Sequence, residues 1–234
     1  TDHAHSTGAR FPDSLRLVMM SGDWIPLTLP DRIRAIANTP ELISMGGATE
    51  ASIWSILYPI GDVDPAWKSI PYGKPMANQR FHVLNSRLEP CPDFVVGELF
   101  IGGIGLALGY WNDPTKTAAS FIVHPATGER LYRTGDLGRY LPDGNIEFLG
   151  REDNQVKING YRVELGEIET ALLRHPGVAA AVVSGLGERG EPKRLIAHVV
   201  AEWGHDPSDR ELTRFLSETL PDYMIPAAFV RMAS

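Results

Sequence analysis

The order of apolar and polar positions predicts a strand–helix–strand unit near the beginning of the chain. LRLVMM at 15–20 is a continuous apolar run with the length of a buried strand, and ELISM at 41–45 is a second one. Between them, LPDRIRAI at 29–36 has the spacing of a short helix, with Asp31 near its start. This order predicts a βαβ unit with parallel strands and hence an α/β fold class.

From residue 79 to residue 150 the pattern changes to short strands interrupted by Gly, Pro and Asp. The predicted strands are RFHVLN, GELFIGG, LGRYL and NIEFLG. The helical pattern in this part is DPTKTAASFI at 113–122, with Asp113 as its cap and Pro114 at the first helical position. We therefore expect a β-rich layer or a distorted barrel here.

The segment 153–234 has the pattern of a small α+β unit. QVKI and YRVE flank Asn159 and Gly160, which is a strong signal for a hairpin. An amphipathic helix follows, and GVAAAVVSG and RLIAHVVAE are predicted strands. DPSDRELTRFLSETL is a predicted helix that begins with a possible capping box, formed by Ser208 and Glu211.

Composition narrows the class of protein. The 234 residues are 43% hydrophobic, which is enough for one or two domains. Because no apolar run reaches about 18 residues and no signal-peptide pattern is present, we expect a cytoplasmic protein with no membrane partner. The single cysteine, Cys91, excludes an internal disulfide and a multi-cysteine metal site. The net charge of −7 argues against nucleic-acid binding.

Five stretches resemble, in order, the motifs of the amino-acid adenylation domains of nonribosomal peptide synthetases. These domains belong to the adenylate-forming enzymes, with acyl-CoA synthetases and firefly luciferase. The five stretches are GGATE (46–50), GELFIGGIGLALGYWNDPTKTAASF (97–121), YRTGDLGRYLPDG (132–144), GREDNQVKINGYRVELGEIE (150–169) and LPDYMIP (220–226). Together they extend over nearly the whole chain after residue 15.

The resemblance implies a fold and a domain division. Residues 1–10 would be a linker, and 11–152 would be the C-terminal part of the large adenylate-forming subdomain, a parallel sheet with a β-rich, barrel-like layer. Residues 153–234 would form a small, incomplete α+β lid, with Asp153 at the hinge. The family's phosphate loop would lie upstream and its last catalytic lysine downstream, so we expect the isolated fragment to be inactive.

The implied reaction has two halves. An amino-acid carboxylate attacks the α-phosphorus of ATP and expels pyrophosphate, and a carrier protein's phosphopantetheine thiol then takes the aminoacyl group. The implied cofactors are therefore ATP, Mg²⁺ and the phosphopantetheine of a partner peptidyl carrier protein. Other synthetase domains would be further partners.

The GGATE stretch resembles the part of the family site that holds the nucleotide phosphates. Gly47, Ala48 and Thr49 would bind the nucleotide, and Thr49 would donate its hydroxyl to a phosphate oxygen. Glu50 would be the catalytic ligand of Mg²⁺, which prefers carboxylate oxygens beside phosphates. The alternative for Thr49 and Glu50 is a helix N-cap with a first-turn acid. Most relatives have an aromatic residue at the position of Gly46, so the adenine would lack its usual aromatic neighbour.

Four further residues match family positions. Asp136 would accept hydrogen bonds from both ribose hydroxyls, and Arg151 would also reach the ribose. Lys157 would approach the ligand as a catalytic lysine, and Gly160 would face the pantetheine arm. The alternatives are an Asx-type turn for Asp136, a surface position for Arg151, a solvated lysine for Lys157 and a turn glycine at 160.

The amino-acid pocket of the family maps onto Met19, Ser21, Met45, Ile53 and Trp54. This set resembles the pocket of cysteine-activating domains of thiazoline-forming siderophore assembly lines, and Met suits a small thiol side chain because its sulfur is polarizable. Serine, threonine and another small residue are the alternatives for the substrate. Ordinary core packing is the alternative for the Met and Ile positions.

Three competing functions have different signatures. An acyl- or aryl-CoA ligase shares the superfamily, but LPDYMIP and NGYRVELGEIE favour the peptide-synthetase side. A non-catalytic docking module is opposed by the intact Glu50, Asp136 and Arg151. GGIGLALG at 102–109 has glycines like those of a dinucleotide-binding dehydrogenase. Neither a helical pattern nor a suitably spaced acidic residue follows them, which argues against a dehydrogenase.

Overall fold

The structure is a computed structural model that describes residues 7–22, 24–151, 155–158, 161–187 and 194–232. The chain divides into two compact units, residues 1–152 and residues 153–234. Sheets dominate both units and helices are few, which confirms the predicted α/β class. In the described ranges, no helix is both long enough and apolar enough to span a membrane.

The first unit begins with the predicted strand–helix–strand arrangement. It consists of β1 (Leu17–Met20), α1 (Leu29–Ile36) and β2 (Glu41–Gly46). As predicted, β1 and β2 are parallel. Two strands that the sequence pattern did not indicate, β3 (Ile56–Pro59) and β4 (Lys74–Pro75), extend the sheet in antiparallel fashion. The sheet is therefore mixed, in the order β1-β2-β3-β4.

Burial of the first strand differs from the prediction. Met20 is buried on β1, but Met19 is 50% exposed and Leu17 is also exposed. Leu17 and Met19 point to one face of the strand, whereas Val18 and Met20 point to the other face, which packs in a core with Leu42. A continuous apolar run does not show that one face will be left uncovered, so the expectation of a buried strand is wrong for that face of β1.

The second sheet of this unit is antiparallel. Its strands are β5 (Gln79–Leu84), β6 (Gly97–Gly103), β7 (Phe121–Val123), β8 (Arg130–Tyr140) and β9 (Ile146–Arg151). The strand order is β5-β6-β8-β7, and β9 also pairs with β8. The helix α2 (Pro114–Ser120) begins as predicted, with the Asp113 side chain accepting from the Lys116 amide at 2.8 Å. It ends earlier than predicted, because the chain turns at Phe121 into β7.

One apolar core joins the second sheet to the segment that follows β2. Phe81, Leu99 and Tyr132 of the second sheet share this core with Ala51 and Ile56. Ala51 and Ile56 are fully buried. The residues next to Glu50 are therefore anchored in the core by apolar contacts, which are the main stabilising contribution in a folded domain.

The second unit is a small α+β structure. Its elements are β10 (Gln155–Ile158), β11 (Tyr161–Glu164), α3 (Leu165–Leu172), β12 (Val178–Leu186), β13 (Arg194–Ala201), α4 (Asp209–Ser217) and β14 (Ala228–Arg231). The antiparallel pairing of β10 with β11 confirms the predicted hairpin strands. The apolar face of α3 is buried with residues of β13, including Leu195, Ala197 and Val199. The sequence pattern did not predict β14, which pairs in parallel with β13.

Half of the predicted capping box is present at the start of α4. The Ser208 hydroxyl accepts from the Glu211 amide at 3.3 Å. The Glu211 carboxylate lies 3.5 Å from His175 Nε2. Ser208 therefore caps the helix, while the side chain of Glu211 connects α4 to the end of α3.

Replacing Ser208 with alanine is expected to lower the free energy of unfolding by about 1 kcal/mol, because the Glu211 amide loses its acceptor. Urea unfolding followed by circular dichroism measures the change. Ser217→Ala is the matched control, since its hydroxyl donates to the Arg214 carbonyl at the other end of α4 and caps no amide. An equal loss of stability in both variants would contradict the capping role.

Candidate active site

The end of β2 leads into a tight turn that carries Glu50. Gly47 has a φ of +145°, and a Cβ there would lie 2.5 Å from the Ile53 carbonyl oxygen, so only glycine fits. A 3₁₀ turn, Thr49–Ala51, follows. The Ser55 amide closes the segment by donating to the Gly46 carbonyl at 2.8 Å. Glu50 is thereby fixed just beyond the carboxyl end of β2.

The Glu50 side chain is 8% exposed and has a specific hydrogen-bond donor. The Tyr110 hydroxyl donates to Glu50 Oε1 at 2.7 Å. Burial, followed by this hydrogen bond to Glu50, raises the pKa of the Tyr110 hydroxyl, which favours its neutral, donating form. The carboxylate orientation is therefore set by a tyrosine sixty positions away in sequence.

The turn differs in its cap from the helix start that local sequence also allowed. It is three residues long, its cap position is Ala48, and no side-chain capping bond is made there. Thr49 is the exposed first residue of the turn. Thr49 is therefore not an N-cap, whereas Glu50 does lie in the first turn of the 3₁₀ helix. The Glu50 side chain accepts from Tyr110, and its carbonyl accepts from the Ala107 amide.

The loop after β6 carries Tyr110 and is itself tied down. Arg130 donates to the Ala107 carbonyl at 2.8 Å and to the Leu108 carbonyl at 2.9 Å. The Tyr110 amide donates to the Thr117 hydroxyl at 2.9 Å. Sequence reasoning did not select Tyr110, although it lies within the second family-like stretch. Its hydroxyl is one of several side-chain donors in that stretch, and no local pattern distinguishes it from the others.

Asp136 and Arg151 face each other across two neighbouring strands. They are register partners on β8 and β9, and Arg151 Nη1 donates to Asp136 Oδ1 at 2.7 Å. Their side chains are only 16% and 15% exposed. Asp136 is thus not a turn residue and Arg151 is not a surface residue, so both alternatives are wrong. The structure brings these two predicted ribose ligands together.

Tyr72 adjoins both the Glu50 turn and the Asp136–Arg151 pair. The Gly47 amide donates to the Tyr72 hydroxyl at 2.9 Å. Burial raises the pKa of Tyr72 far above its ordinary value, and the negative charge of Asp136 raises it further, while the Gly47 bond and Arg151 lower it. The Tyr72 amide donates to the Ile146 carbonyl at 2.9 Å, at the start of β9, the strand that ends with Arg151. Tyr72 therefore links the Glu50 turn to the strand that carries Arg151 beside Asp136.

The five predicted pocket residues have different environments. Trp54 Nε1 donates to the Ser21 hydroxyl at 3.2 Å, so these two lie together. Met45 is buried, whereas Met19 and Ile53 are 50% and 63% exposed. Core packing therefore accounts for Met45 only. Ile53 has a φ of +71°, which is unusual for a β-branched residue and is often found at functional sites.

The acidic groups fit Mg²⁺ only in the presence of a phosphate ligand. Among the described residues, no group of three or more His, Cys, Asp or Glu side chains could hold a metal ion. Mg²⁺ in nucleotide enzymes is usually held by one or two carboxylates together with phosphate oxygens and waters. Glu50, a buried carboxylate beside an exposed turn, suits that arrangement.

Three of the predicted site residues lie wholly or partly outside the part of the chain that the structure describes. Asp153 and Gly160 lie outside the described residues. Lys157 lies on β10, and its side chain is also outside the described part of the chain.

Comparison with known proteins gives matches over both units. The family model for AMP-binding enzymes matches residues 2–111, and the model for the AMP-binding enzyme C-terminal domain matches residues 167–234. Bacitracin synthase 1 of Bacillus licheniformis is 52% identical over 227 residues, which is 95% of this chain and 4% of that protein. Pyochelin synthetase PchF of Pseudomonas aeruginosa is 51% identical over 209 residues, which is 88% of this chain and 12% of that protein.

Solved structures of adenylation domains also match this chain. NpsA-ThdA, an artificially fused adenylation-PCP di-domain from Klebsiella oxytoca, superposes with a TM-score of 0.77 at 34% identity, covering 93% of this chain and 40% of that one. The chain thus spans less than half of this structure and a small part of the curated relatives. The two family models together match most of the chain, and its relatives are peptide synthetases. The chain belongs to the AMP-binding, adenylate-forming enzyme family, on its nonribosomal peptide synthetase branch.

Proposed function

We propose that the chain is part of an adenylation domain that activates an amino acid with ATP and passes it to a carrier-protein thiol. The main support is that Tyr72 links the two groups of predicted nucleotide ligands. Its hydroxyl accepts from the Gly47 amide at the start of the Glu50 turn, and its amide donates to Ile146 on β9, the strand that carries Arg151 beside Asp136. The first unit would be part of the large subdomain, and the second unit, beginning at the hinge residue Asp153, would be the lid.

In the first half-reaction an oxygen of the amino-acid carboxylate bonds to the α-phosphorus of ATP. The bond from that phosphorus to its bridging oxygen breaks, and pyrophosphate leaves with the electron pair. The main requirement is stabilisation of the negative charge of the triphosphate. Glu50 would hold Mg²⁺, which supplies that stabilisation when bound. Tyr110 would keep the Glu50 carboxylate in one orientation by its 2.7 Å hydrogen bond.

Asp136 would bind the ribose of the nucleotide. A carboxylate suits a vicinal diol because its oxygens can accept a hydrogen bond from each hydroxyl. Arg151 would orient that carboxylate through the charge-assisted bond to Oδ1, which is shorter and stronger than a neutral bond. Thr49, exposed at the start of the 3₁₀ turn, would donate its hydroxyl to a phosphate oxygen. Ala48 and Thr49 would bind the nucleotide through their backbone, because the Gly47 amide already donates to the Tyr72 hydroxyl.

The proposed amino acid is cysteine, with serine, threonine or another small residue as alternatives. The contact of Trp54 with Ser21 would narrow the pocket, and Met19, which is half exposed on β1, would present a polarizable side chain to a thiol. A peptidyl carrier protein is the proposed acceptor, carrying a phosphopantetheine thiol. The likeness to an adenylation-PCP di-domain supports this partner.

The test is ATP–pyrophosphate exchange by the full-length protein that carries this chain. We expect exchange that depends on cysteine, with lower rates for serine and threonine. Formation of CoA thioesters from aryl or acyl acids, without amino-acid-dependent exchange, would instead support a CoA ligase. Absence of exchange with every amino acid and every acid would support a non-catalytic module.

A further inference from the structure

The ring of Tyr72 occupies the space in which a side chain at position 46 would lie. A Cβ on Gly46 would be 1.7 Å from Tyr72 Cε2. Unlike Gly47, Gly46 does not have a positive φ, so residues other than glycine could adopt its backbone conformation. Glycine is required at position 46 because of the tyrosine ring. Positions 46 and 72 are therefore complementary, because the side chain at 72 fills the space that a side chain at 46 would need.

Tyr72 also connects the two halves of the candidate site by hydrogen bonds and by packing of its ring. Its hydroxyl accepts from the Gly47 amide at 2.9 Å, three residues before Glu50. Its own amide donates to the Ile146 carbonyl at 2.9 Å, at the start of the strand that ends with Arg151. Its ring packs against Phe148 of the same strand with a centroid distance of 5.5 Å. The end of β2 is thereby fixed to β9.

On the basis of the proposed function, we propose that Tyr72 is a positioning residue for ATP. Its hydroxyl holds the Gly47 amide, and with it the Glu50 turn, in a fixed relation to Asp136 and Arg151. Its ring fills the space of a side chain at position 46 and takes the place of that side chain in the site. The raised pKa of Tyr72 keeps the hydroxyl protonated at neutral pH, so this support is constant under assay conditions.

The first test is Tyr72→Phe in the full-length protein, measured by amino-acid-dependent pyrophosphate exchange. The ring remains and one hydrogen bond is lost, so KM for ATP should rise about 3- to 10-fold. KM for the amino acid should stay unchanged. Tyr140→Phe is the matched control, because its hydroxyl also accepts a backbone amide, that of Val83 at 3.3 Å, on a different strand. A wild-type KM for ATP in Tyr72→Phe, or the same rise in Tyr140→Phe, overturns the role of the hydroxyl.

The second test moves the ring from one position to the other. Tyr72→Ala should raise KM for ATP by about tenfold or more, since it removes both the ring and the hydroxyl. Adding Gly46→Tyr to that variant should recover most of the loss, because the vacated space lies directly over the new Cβ. Failure of the double variant to recover, while it unfolds thermally within a few degrees of the wild type, overturns the stand-in role of the ring.

The two hypotheses fail in different ways. An inactive wild-type protein in the exchange assay overturns the proposed function and the role of Tyr72 together. Normal exchange by the wild type, with ATP kinetics that do not respond to Tyr72→Phe or to the ring transfer, overturns the role of Tyr72 alone.

Discussion

Replacing Glu50 with glutamine is expected to slow amino-acid-dependent pyrophosphate exchange by a factor of about 10² to 10³, the usual effect of losing one group that stabilises transition-state charge. Glutamine keeps the size of the side chain, and its amide oxygen can still accept from the Tyr110 hydroxyl. The substitution removes the negative charge that would hold Mg²⁺ and replaces one carboxylate oxygen by an amide group. The loss should therefore appear in kcat at saturating ATP and Mg²⁺, with the fold unchanged.

The control for Glu50→Gln is the same substitution at Glu147. That residue is also a shielded glutamate of the first unit, with its side chain 12% exposed and its carboxylate 2.6 Å from Arg139 Nε. It lies on β9 and has no proposed part in the reaction, so Glu147→Gln should exchange at the wild-type rate. Exchange at the wild-type rate by Glu50→Gln would contradict the metal-binding role. Equal losses in the two variants would indicate a general effect of removing a shielded carboxylate.

Local pattern was sufficient for elements whose signals lie within one segment. The cap Asp113 with Pro114 and the periodic apolar face of α3 are examples, because each depends on residues a few positions apart. It was insufficient for β14 and for the burial of only one face of β1. Both depend on which segments pack together, and that is decided by contacts between segments far apart in the chain.

In the candidate site, too, features that depend on neighbouring residues were predicted, whereas contacts between distant segments were not. GGATE marked the turn, but local sequence also allowed a helix start there. The closing bond from the Ser55 amide to Gly46 and the fully buried Ala51 select the 3₁₀ turn instead. The two tyrosines that hold it were not predicted, because Tyr72 reaches Gly47 across 25 positions and Tyr110 reaches Glu50 across 60. The adjacent glycines of the motif likewise have different causes, a backbone conformation at 47 and a ring at 46.

Loss of the Asp136 side chain should affect both the stability of the fold and the affinity for the nucleotide. Asp136→Ala removes an acceptor for the ribose hydroxyls and takes away the carboxylate paired with Arg151, which is mostly shielded from water. We expect KM for ATP to rise about 10- to 100-fold, because hydrogen bonds to charged groups contribute about 1.5–3 kcal/mol. The free energy of unfolding should fall by about 1–3 kcal/mol, since a shielded guanidinium loses its partner.

The double variant Asp136→Ala/Arg151→Met separates the two effects. Removing both charges leaves no shielded ion without a partner, and methionine fills most of the volume of the arginine stem, so much of the lost stability should return in urea unfolding. ATP affinity should not return, because the acceptor for the ribose is still missing. Recovery of stability without recovery of KM is therefore the expected result. A double variant that regains the wild-type KM for ATP would show that Asp136 serves only to balance the charge of Arg151, and the ribose-binding role would have to be abandoned.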